Sequence, residues 1–141
     1  MEERKRISSF RDLEVYQNTY NACIKVMMEI LPKLPESERY DLKDQLRRSV
    51  KAIPRLVAEG YAKRHQKLGF QKYLDDAMAE CNETIVGLEM CRDIYEKNMT
   101  DCELHDLIDM YDKAGRQLYN LSKAWSKFKD ERRDRQTKPA S

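Results

Sequence analysis

The chain has 141 residues, of which 37% are charged and 40% hydrophobic, and it contains only four glycines and four prolines. One domain of this length buries a substantial core, and the scarcity of turn residues excludes a β-sandwich or barrel. No apolar run approaches the ~18 residues of a membrane span, and residues 1–10 lack the apolar stretch of a secretory signal. We therefore expect an all-α, cytoplasmic protein with reduced cysteines and no membrane partner.

The first predicted helix runs from about Ser9 to Leu31 and follows a flexible N-terminal segment at residues 1–8. Apolar residues recur along this helix at spacings of three and four, which is typical of one buried helical face. The residues of this predicted face are Leu13, Tyr16, Tyr20, Ile24, Met27 and Leu31. Pro32 and Pro35 disfavour helix at the residues before them, so a short turn is expected to follow.

The second predicted helix begins between Glu36 and Asp41 and ends near Arg64. Its apolar stripe consists of Leu42, Leu46, Val50, Ile53 and Val57. Pro54 lies inside this pattern, lacks a backbone donor and crowds the preceding turn. Because the apolar period resumes after Pro54, the pattern predicts a kinked but continuous helix.

Two further helices complete the predicted fold, one from Gly69 and one from about residue 100. The third carries a seam without a gap: Phe70, Leu74, Ala77, Cys81, Thr84, Leu88, Cys91 and Tyr95. The seam of the fourth consists of Leu104, Leu107, Ile108, Tyr111, Ala114, Leu118, Leu121, Trp125 and Phe128. Four long segments with short links predict an antiparallel up-down four-helix bundle over residues 9–129, followed by a disordered basic tail at 130–141.

The stretch from Tyr40 to Gly60 resembles the signature of a known family, the four-helix-bundle proteins encoded in intervening sequences of bacterial 23S ribosomal RNA genes. A proline inside an amphipathic helix is uncommon, so Ile53-Pro54 followed by Ala58-Glu59-Gly60 makes this resemblance specific. More distantly, the chain resembles the accessory variability determinant of diversity-generating retroelements. The matching positions lie within residues 9–128 and are Phe10, Arg11, Asp12, Leu13, Tyr40, Leu42, Gln45, Arg47, Arg48, Ile53, Pro54, Ala58, Glu59, Gly60, Phe70, Leu74, Ala77 and Glu83.

The resemblance implies a bundle that assembles as a barrel-like homopentamer. In the retroelement branch it also implies binding to a reverse transcriptase and to nucleic acid, whereas the ribosomal branch has no settled biochemical activity. The chain departs from the family pattern where Ser, Asn and Gly-Ser are usual, at Ala52, Leu56, Ala79 and Glu80. The sequence does not decide between the two branches.

A second set of apolar residues lies off the main stripes and predicts a further buried face. These residues are Val15, Val26, Met28, Val86, Met90 and Ile94. Because large apolar patches usually mark an interface, this set favours self-assembly, and together with the resemblance it favours a ring of five copies.

Charge is distributed unevenly along the chain, although the net charge is only +2. Residues 43–72 hold nine Lys/Arg and two acids, whereas residues 73–112 hold two Lys/Arg and twelve acids. Spacings of four place Lys43, Arg47, Lys51 and Arg55 on one ridge with Arg48 beside it, and Lys63, Arg64 and Lys67 continue the positive region. Cations at repeated spacing suit binding to RNA or DNA phosphates, because each neutralised phosphate releases counterions and this release favours binding. Two other interpretations are pairing with the acidic helices, within or between subunits, and a merely solvated helix face.

No motif in the sequence indicates catalysis, a cofactor or a metal site. The Glu-x-x-His motif of di-iron bundles does not occur, and Cys102-x-x-His105 supplies only two of the three or four ligands that zinc needs. Nucleotide-binding loops and hydrolase motifs do not occur either. The sequence therefore favours a non-enzymatic, oligomeric adaptor that binds nucleic acid and, in the retroelement branch, a reverse transcriptase. A self-assembling protein-interaction scaffold is the alternative.

Overall fold

The computed structural model describes residues 6–99 and 101–137, without the side chains of Asn98, Asp101, Cys102 and residues 128–137. The helices of this part of the chain are α1 (Glu14–Lys25), α2 (Leu42–Ala62), α3 (Gly69–Ile94) and α4 (Asp101–Thr137). Short helical turns flank them at Phe10–Asp12, Val26–Ile30, Leu31–Lys33, Glu36–Glu38 and Glu96–Asn98. The predicted all-α four-helix bundle is confirmed.

The core lies along the centre of the bundle, where α2 and α4 each pack against both α1 and α3. The apolar stripe predicted for α2 is buried at every position. The predicted α3 seam is buried from Phe70 to Cys91, and Tyr95 is partly buried. On α4, the fully packed seam residues are Leu104, Leu107, Tyr111, Ala114 and Leu118, with Ile108, Leu121 and Trp125 partly buried. Period and spacing therefore predicted the described core of three helices correctly, and the side chain of Phe128 lies outside the described residues.

The face predicted for the first helix is partly wrong. Tyr20 and Ile24, which the pattern placed in the core, are 48% and 47% exposed. The predicted Leu13 and Leu31 are buried, and Tyr16 and Met27 are partly buried against the core. The other buried residues are Val15, Thr19, Ala22, Cys23, Val26 and Ile30. Burying Thr19 leaves no polar group unsatisfied, because its hydroxyl donates to the Val15 carbonyl at 2.7 Å. Small residues on this face allow α1 to pack close to its neighbours.

Helix α2 continues without interruption through Pro54, whose side chain is buried. The predicted continuity is thus present, and the kink stays a prediction. Helix α4 runs to Thr137, beyond the bundle end predicted at residue 129. Residues 130–137 include three Arg, one Glu and one Gln, which are good helix formers, and the first proline after them is Pro139. The outer parts of the predicted flexible segment and tail, residues 1–5 and 138–141, lie outside the described residues.

Glycines on both helices allow α2 and α3 to approach each other closely. A Cβ atom at Gly87 would lie 2.6 Å from Cδ2 of Leu46, and one at Gly60 would lie 2.7 Å from Cβ of Tyr73. Between these two points, the buried Thr84 hydroxyl donates to the Ser49 hydroxyl at 2.8 Å. A larger residue at either glycine would push the two helices apart.

We expect alanine to act oppositely at two helical glycines. Gly87→Ala should lower the free energy of unfolding by about 1–3 kcal/mol, because its methyl group overpacks against Leu46. Gly115→Ala should raise it by about 0.5–1 kcal/mol, because no described atom lies within 4 Å of the added Cβ and alanine favours helix. Urea denaturation of both variants measures the difference. Stabilisation by both substitutions would contradict the close contact at Gly87.

A candidate nucleic-acid interface on the second helix

The predicted cationic ridge lies on the outer side of α2 because the opposite side of this helix is buried. Leu46, Val50, Ile53 and Val57 are at most 1% exposed and set the rotation of the helix. The basic residues between them point away from the core: Arg48, Lys51 and Arg55 are exposed, and Lys43 and Arg47 are partly buried. The amphipathic period of α2 thus places all five cations at or near the surface.

The ridge winds around α2 and does not form one flat surface. Each step of four residues rotates about 40° around an α-helix, so the direction changes by about 120° between Lys43 and Arg55. Arg55 lines an open groove of about 370 Å³ between α2 and α3, which also contains Asp76 and Glu80. Burial raises the pKa of the Glu80 carboxyl, and the neighbouring charge of Glu83 adds to this rise. One end of the ridge therefore lies beside acidic residues of the bundle itself.

Asp44 engages two guanidinium groups of the ridge. Arg47 donates a short hydrogen bond to one Asp44 oxygen, and Nε of Arg48 donates to the other at 3.2 Å. The Arg47 hydrogen bond, supported by Arg48, holds the pKa of the Asp44 carboxyl below its ordinary value. Part of the positive charge that the sequence indicates is thus neutralised locally.

Cations after α2 have different surroundings. Lys63 donates to the Tyr73 hydroxyl at 2.6 Å and lies 3.7 Å from a Glu59 oxygen, and the Tyr73 hydrogen bond raises the pKa of its ammonium group. Arg64 donates to the Tyr61 carbonyl at 2.7 Å, and its guanidinium lies 4.0 Å from the centre of the Tyr61 ring. These contacts hold both side chains against the end of the bundle.

Several cations form no ion pair with any residue that the structure describes. Among the eight predicted site cations they are Lys43, Lys51, Arg55, Arg64 and Lys67, of which Lys51, Arg55 and Lys67 are exposed. Lys51 also affects one residue of α1. Burial raises the pKa of the Cys23 thiol, and the positive charge of Lys51 opposes this rise. Among the predicted site residues, the exposed cations without an ion pair therefore lie on the middle of α2 and on the turn after it.

An aromatic cluster on the first helix was missed by sequence reasoning. The rings of Phe10 and Tyr16 meet edge to face with centroids 4.9 Å apart, and those of Tyr16 and Tyr20 are 6.0 Å apart. The guanidinium of Arg11 lies 4.6 Å from the centre of the Phe10 ring. The spacing of Tyr16 and Tyr20 was visible in the sequence, but it was interpreted as core.

The second apolar face divides between the core and the surface. Val15 and Val26 are buried within the subunit, which corrects their placement on a separate face. The other members are exposed: Met28 by 72%, Val86 by 49%, Met90 by 45% and Ile94 by 62%. Val86, Met90 and Ile94 follow one another at spacings of four, so α3 carries a continuous exposed apolar stripe.

Within residues 6–99 and 101–137, no three His, Cys, Asp or Glu side chains are grouped closely enough to hold a metal ion. His105 lies 3.2 Å from Asp109, one helical turn away. None of the described helices combines the length and apolarity needed to cross a bilayer.

Taken together, these features define an all-α bundle protein whose second helix has a cationic outer side. The family model of the 23S rRNA-intervening sequence protein matches residues 11–120. The chain therefore belongs to the 23S rRNA-intervening sequence protein family. A search of curated proteins found no match.

The Asp44 pairs predict a measurable titration. In the double variant Arg47→Ala/Arg48→Ala, the pKa of Asp44 should rise towards the ordinary value of about 3.9, because both hydrogen bonds to the carboxylate are lost. In the parent, the stabilisation from these pairs is present above the ordinary pKa and is lost as the pH falls through the lowered one. Carboxyl-carbon NMR titration measures the shift. Asp93, held by Arg92 at 2.8 Å, is the internal control and should not move.

Proposed function

We propose that the protein is a non-enzymatic, oligomeric adaptor that binds RNA or DNA phosphates through the outer side of α2. The observation that carries this proposal is the excess of nine Lys/Arg over two acids in residues 43–72. The ligand contacts come from Lys43, Arg47, Arg48, Lys51 and Arg55, with help from Lys63, Arg64 and Lys67. Binding through phosphates requires no base-reading motif, so little base preference is expected.

The arrangement of charge supports this proposal over a merely solvated face. Successive ridge residues are separated by about 6 Å along the helix axis, since each residue rises 1.5 Å. The ridge thus offers a regular series of positive groups to a polyanion, and each neutralised phosphate releases counterions. Arg47 and Arg48 supply further charge when a phosphate displaces the Asp44 carboxylate, an exchange between two anions.

Self-assembly is the second part of the proposal. The exposed stripe of Val86, Met90 and Ile94 on α3 is the surface that we assign to contact between copies, because isolated apolar residues are common on surfaces but continuous stripes usually are not. The family resemblance supports a homopentamer. Five copies of one basic surface would act together, so that modest affinity at each site becomes avidity.

The biological partner belongs to the same proposal. Resemblance to the retroelement accessory protein supports a role beside the reverse transcriptase of a diversity-generating retroelement. The acidic stretch at residues 73–112, with twelve acids and two Lys/Arg, offers a surface of the charge that a basic, nucleic-acid-binding polymerase would complement. Co-purification of the two proteins after co-expression tests this role, with the nucleic acid removed by nuclease.

A self-assembling scaffold without a nucleic-acid role is the second candidate. The observation that favours it is the position of Arg55, which shares its groove with Asp76 and Glu80. In a scaffold, the cations of one subunit would pair with the acids of the next, and the apolar α3 stripe would be buried between them. Both candidates require self-assembly, and they differ in what the ridge contacts.

Charge reversal on the ridge separates the two candidates. The variant Arg47→Glu/Lys51→Glu/Arg55→Glu should bind RNA and DNA at least about tenfold more weakly in a gel shift at low salt. Its salt dependence should also be shallower, because each phosphate contact contributes ~0.7–0.9 to the slope of log K against log salt. The control Lys97→Glu/Lys123→Glu/Lys127→Glu makes the same charge change outside the ridge and should retain parental affinity.

The oligomer size of the ridge variant is measured first, by light scattering. An intact oligomer that binds as tightly as the parent would contradict the nucleic-acid proposal. Dissociation into monomers would instead identify the ridge as an intersubunit ion-pair surface and would support the scaffold.

The assembly surface has its own test. Met90→Glu/Ile94→Glu should convert the oligomer into smaller species, because two carboxylates would be buried in the apolar contact. Asn120→Glu/Ala124→Glu, which adds the same charge to exposed positions of α4, should leave the size unchanged. Light scattering at micromolar concentration measures both variants. A monomeric parent would exclude self-assembly altogether.

A further inference from the structure

Tyr20 is a large aromatic residue whose exposure is not explained by the packing of its own subunit. It is 48% exposed, although its ring contacts that of Tyr16, which in turn contacts Phe10. The latter two rings are partly buried and support Tyr20 from one end. We call these three residues the aromatic ladder.

The aromatic ladder lies on the side of α1 that faces α2. Tyr16, Tyr20 and Cys23 are separated by four and three residues and therefore share one side of the helix. Helix α1 packs against both α2 and α4, and the Lys51 charge, which opposes the rise that burial causes in the pKa of the Cys23 thiol, agrees with a position of this side next to α2. A different side of α1 faces α4, where Asn18, Asn21, Ala22, Lys25, Asp106, Leu107 and Met110 line a groove.

The ring of Tyr20 and the ridge cations around Lys51 therefore lie on one surface of the bundle. Lys51 is exposed on the outer side of α2 and has no ion pair among the described residues, and Tyr20 is exposed on the side of α1 that faces α2. Ile24, which is 47% exposed, extends the exposed surface of Tyr20 by one further helical turn. Proteins that bind single strands combine these two elements, a cationic track for the backbone and an aromatic face for the bases.

We propose that the ligand of this surface is single-stranded nucleic acid, with an unpaired base stacked on Tyr20 and its flanking phosphates held by Lys51 and the neighbouring ridge cations. This inference rests on the proposed function and narrows its ligand class. The positive charge beside Tyr20 favours a polyanion as its occupant. The bases of a duplex are already stacked on one another, so a duplex would contact the cations alone.

Three probes distinguish stacking from phosphate binding: an oligothymidine strand, an abasic strand with the same number of phosphates, and a duplex. Tyr20→Ala should weaken binding of oligothymidine by about 5- to 100-fold, the range for losing one base–aromatic stack. Its affinity for the abasic strand and for the duplex should equal that of the parent. Tyr20→Trp should retain or strengthen oligothymidine binding, since it keeps an aromatic face. Fluorescence anisotropy with labelled probes measures all three.

Tyr119→Ala is the matched control. Tyr119 lies on α4, is 50% exposed and has the Lys123 ammonium 4.9 Å from the centre of its ring. It therefore matches the exposure of Tyr20 and has a nearby cation, but it lies away from the ridge. This variant should bind all three probes as the parent does.

Each of the following outcomes would contradict the inference for a different reason. Unchanged oligothymidine binding by Tyr20→Ala, with binding still lost in the ridge variant, would remove the stacking step and leave the proposed function intact. Equal weakening for the abasic strand would show that Tyr20 does not contact a base. A change of oligomer size in Tyr20→Ala would assign the surface to a second copy of the chain. Failure of the parent to bind any probe would overturn the proposed function together with this inference.

Discussion

The close contact between α2 and α3 is the constraint on which the rest of the molecule depends. Gly60 and Gly87 remove the side chains that would hold these helices apart, and the hydrogen bond between Ser49 and Thr84 satisfies the polar groups buried between them. A helix held this closely has little freedom to rotate about its axis. The side of α2 that faces solvent is therefore determined by the residues that it buries.

This constraint connects the core to the proposed function. Because the apolar stripe of α2 must face inward, its cations are presented outward as a ridge that winds from one neighbouring helix towards the other. The surroundings then differ along the ridge. Asp44 engages Arg47 and Arg48, Asp76 and Glu80 share a groove with Arg55, and Lys51 lies towards α1. The middle of the ridge is consequently the part best suited to a new anionic partner.

Helix α1 combines the cationic ridge with a second kind of surface. Its sequence contains two overlapping apolar stripes, and at the middle of the helix Thr19, Ala22 and Cys23 enter the core in place of Tyr20 and Ile24. The displaced aromatic residues form the ladder that ends at the exposed Tyr20. An apolar stripe on α3 is exposed on another part of the bundle, so the surface that we propose for a ligand and the surface that we propose for self-assembly are separate.

The sequence by itself determined the four-helix class, the seams of α2, α3 and α4, and the family. On α2 and α4 a single apolar stripe stands against charged residues, and on α3 the buried seam continues without a gap along the helix, so the period identifies the buried side. The sequence could not determine the buried side of α1, because Val15 and Tyr20 both fit a helical period. The choice between them depends on how much space the neighbouring helices leave. The sequence also identified the ridge cations but not their partners. Only the tertiary structure brought Arg55 beside Asp76 and Lys51 beside Cys23, because these residues are distant in the chain and meet only when the helices pack.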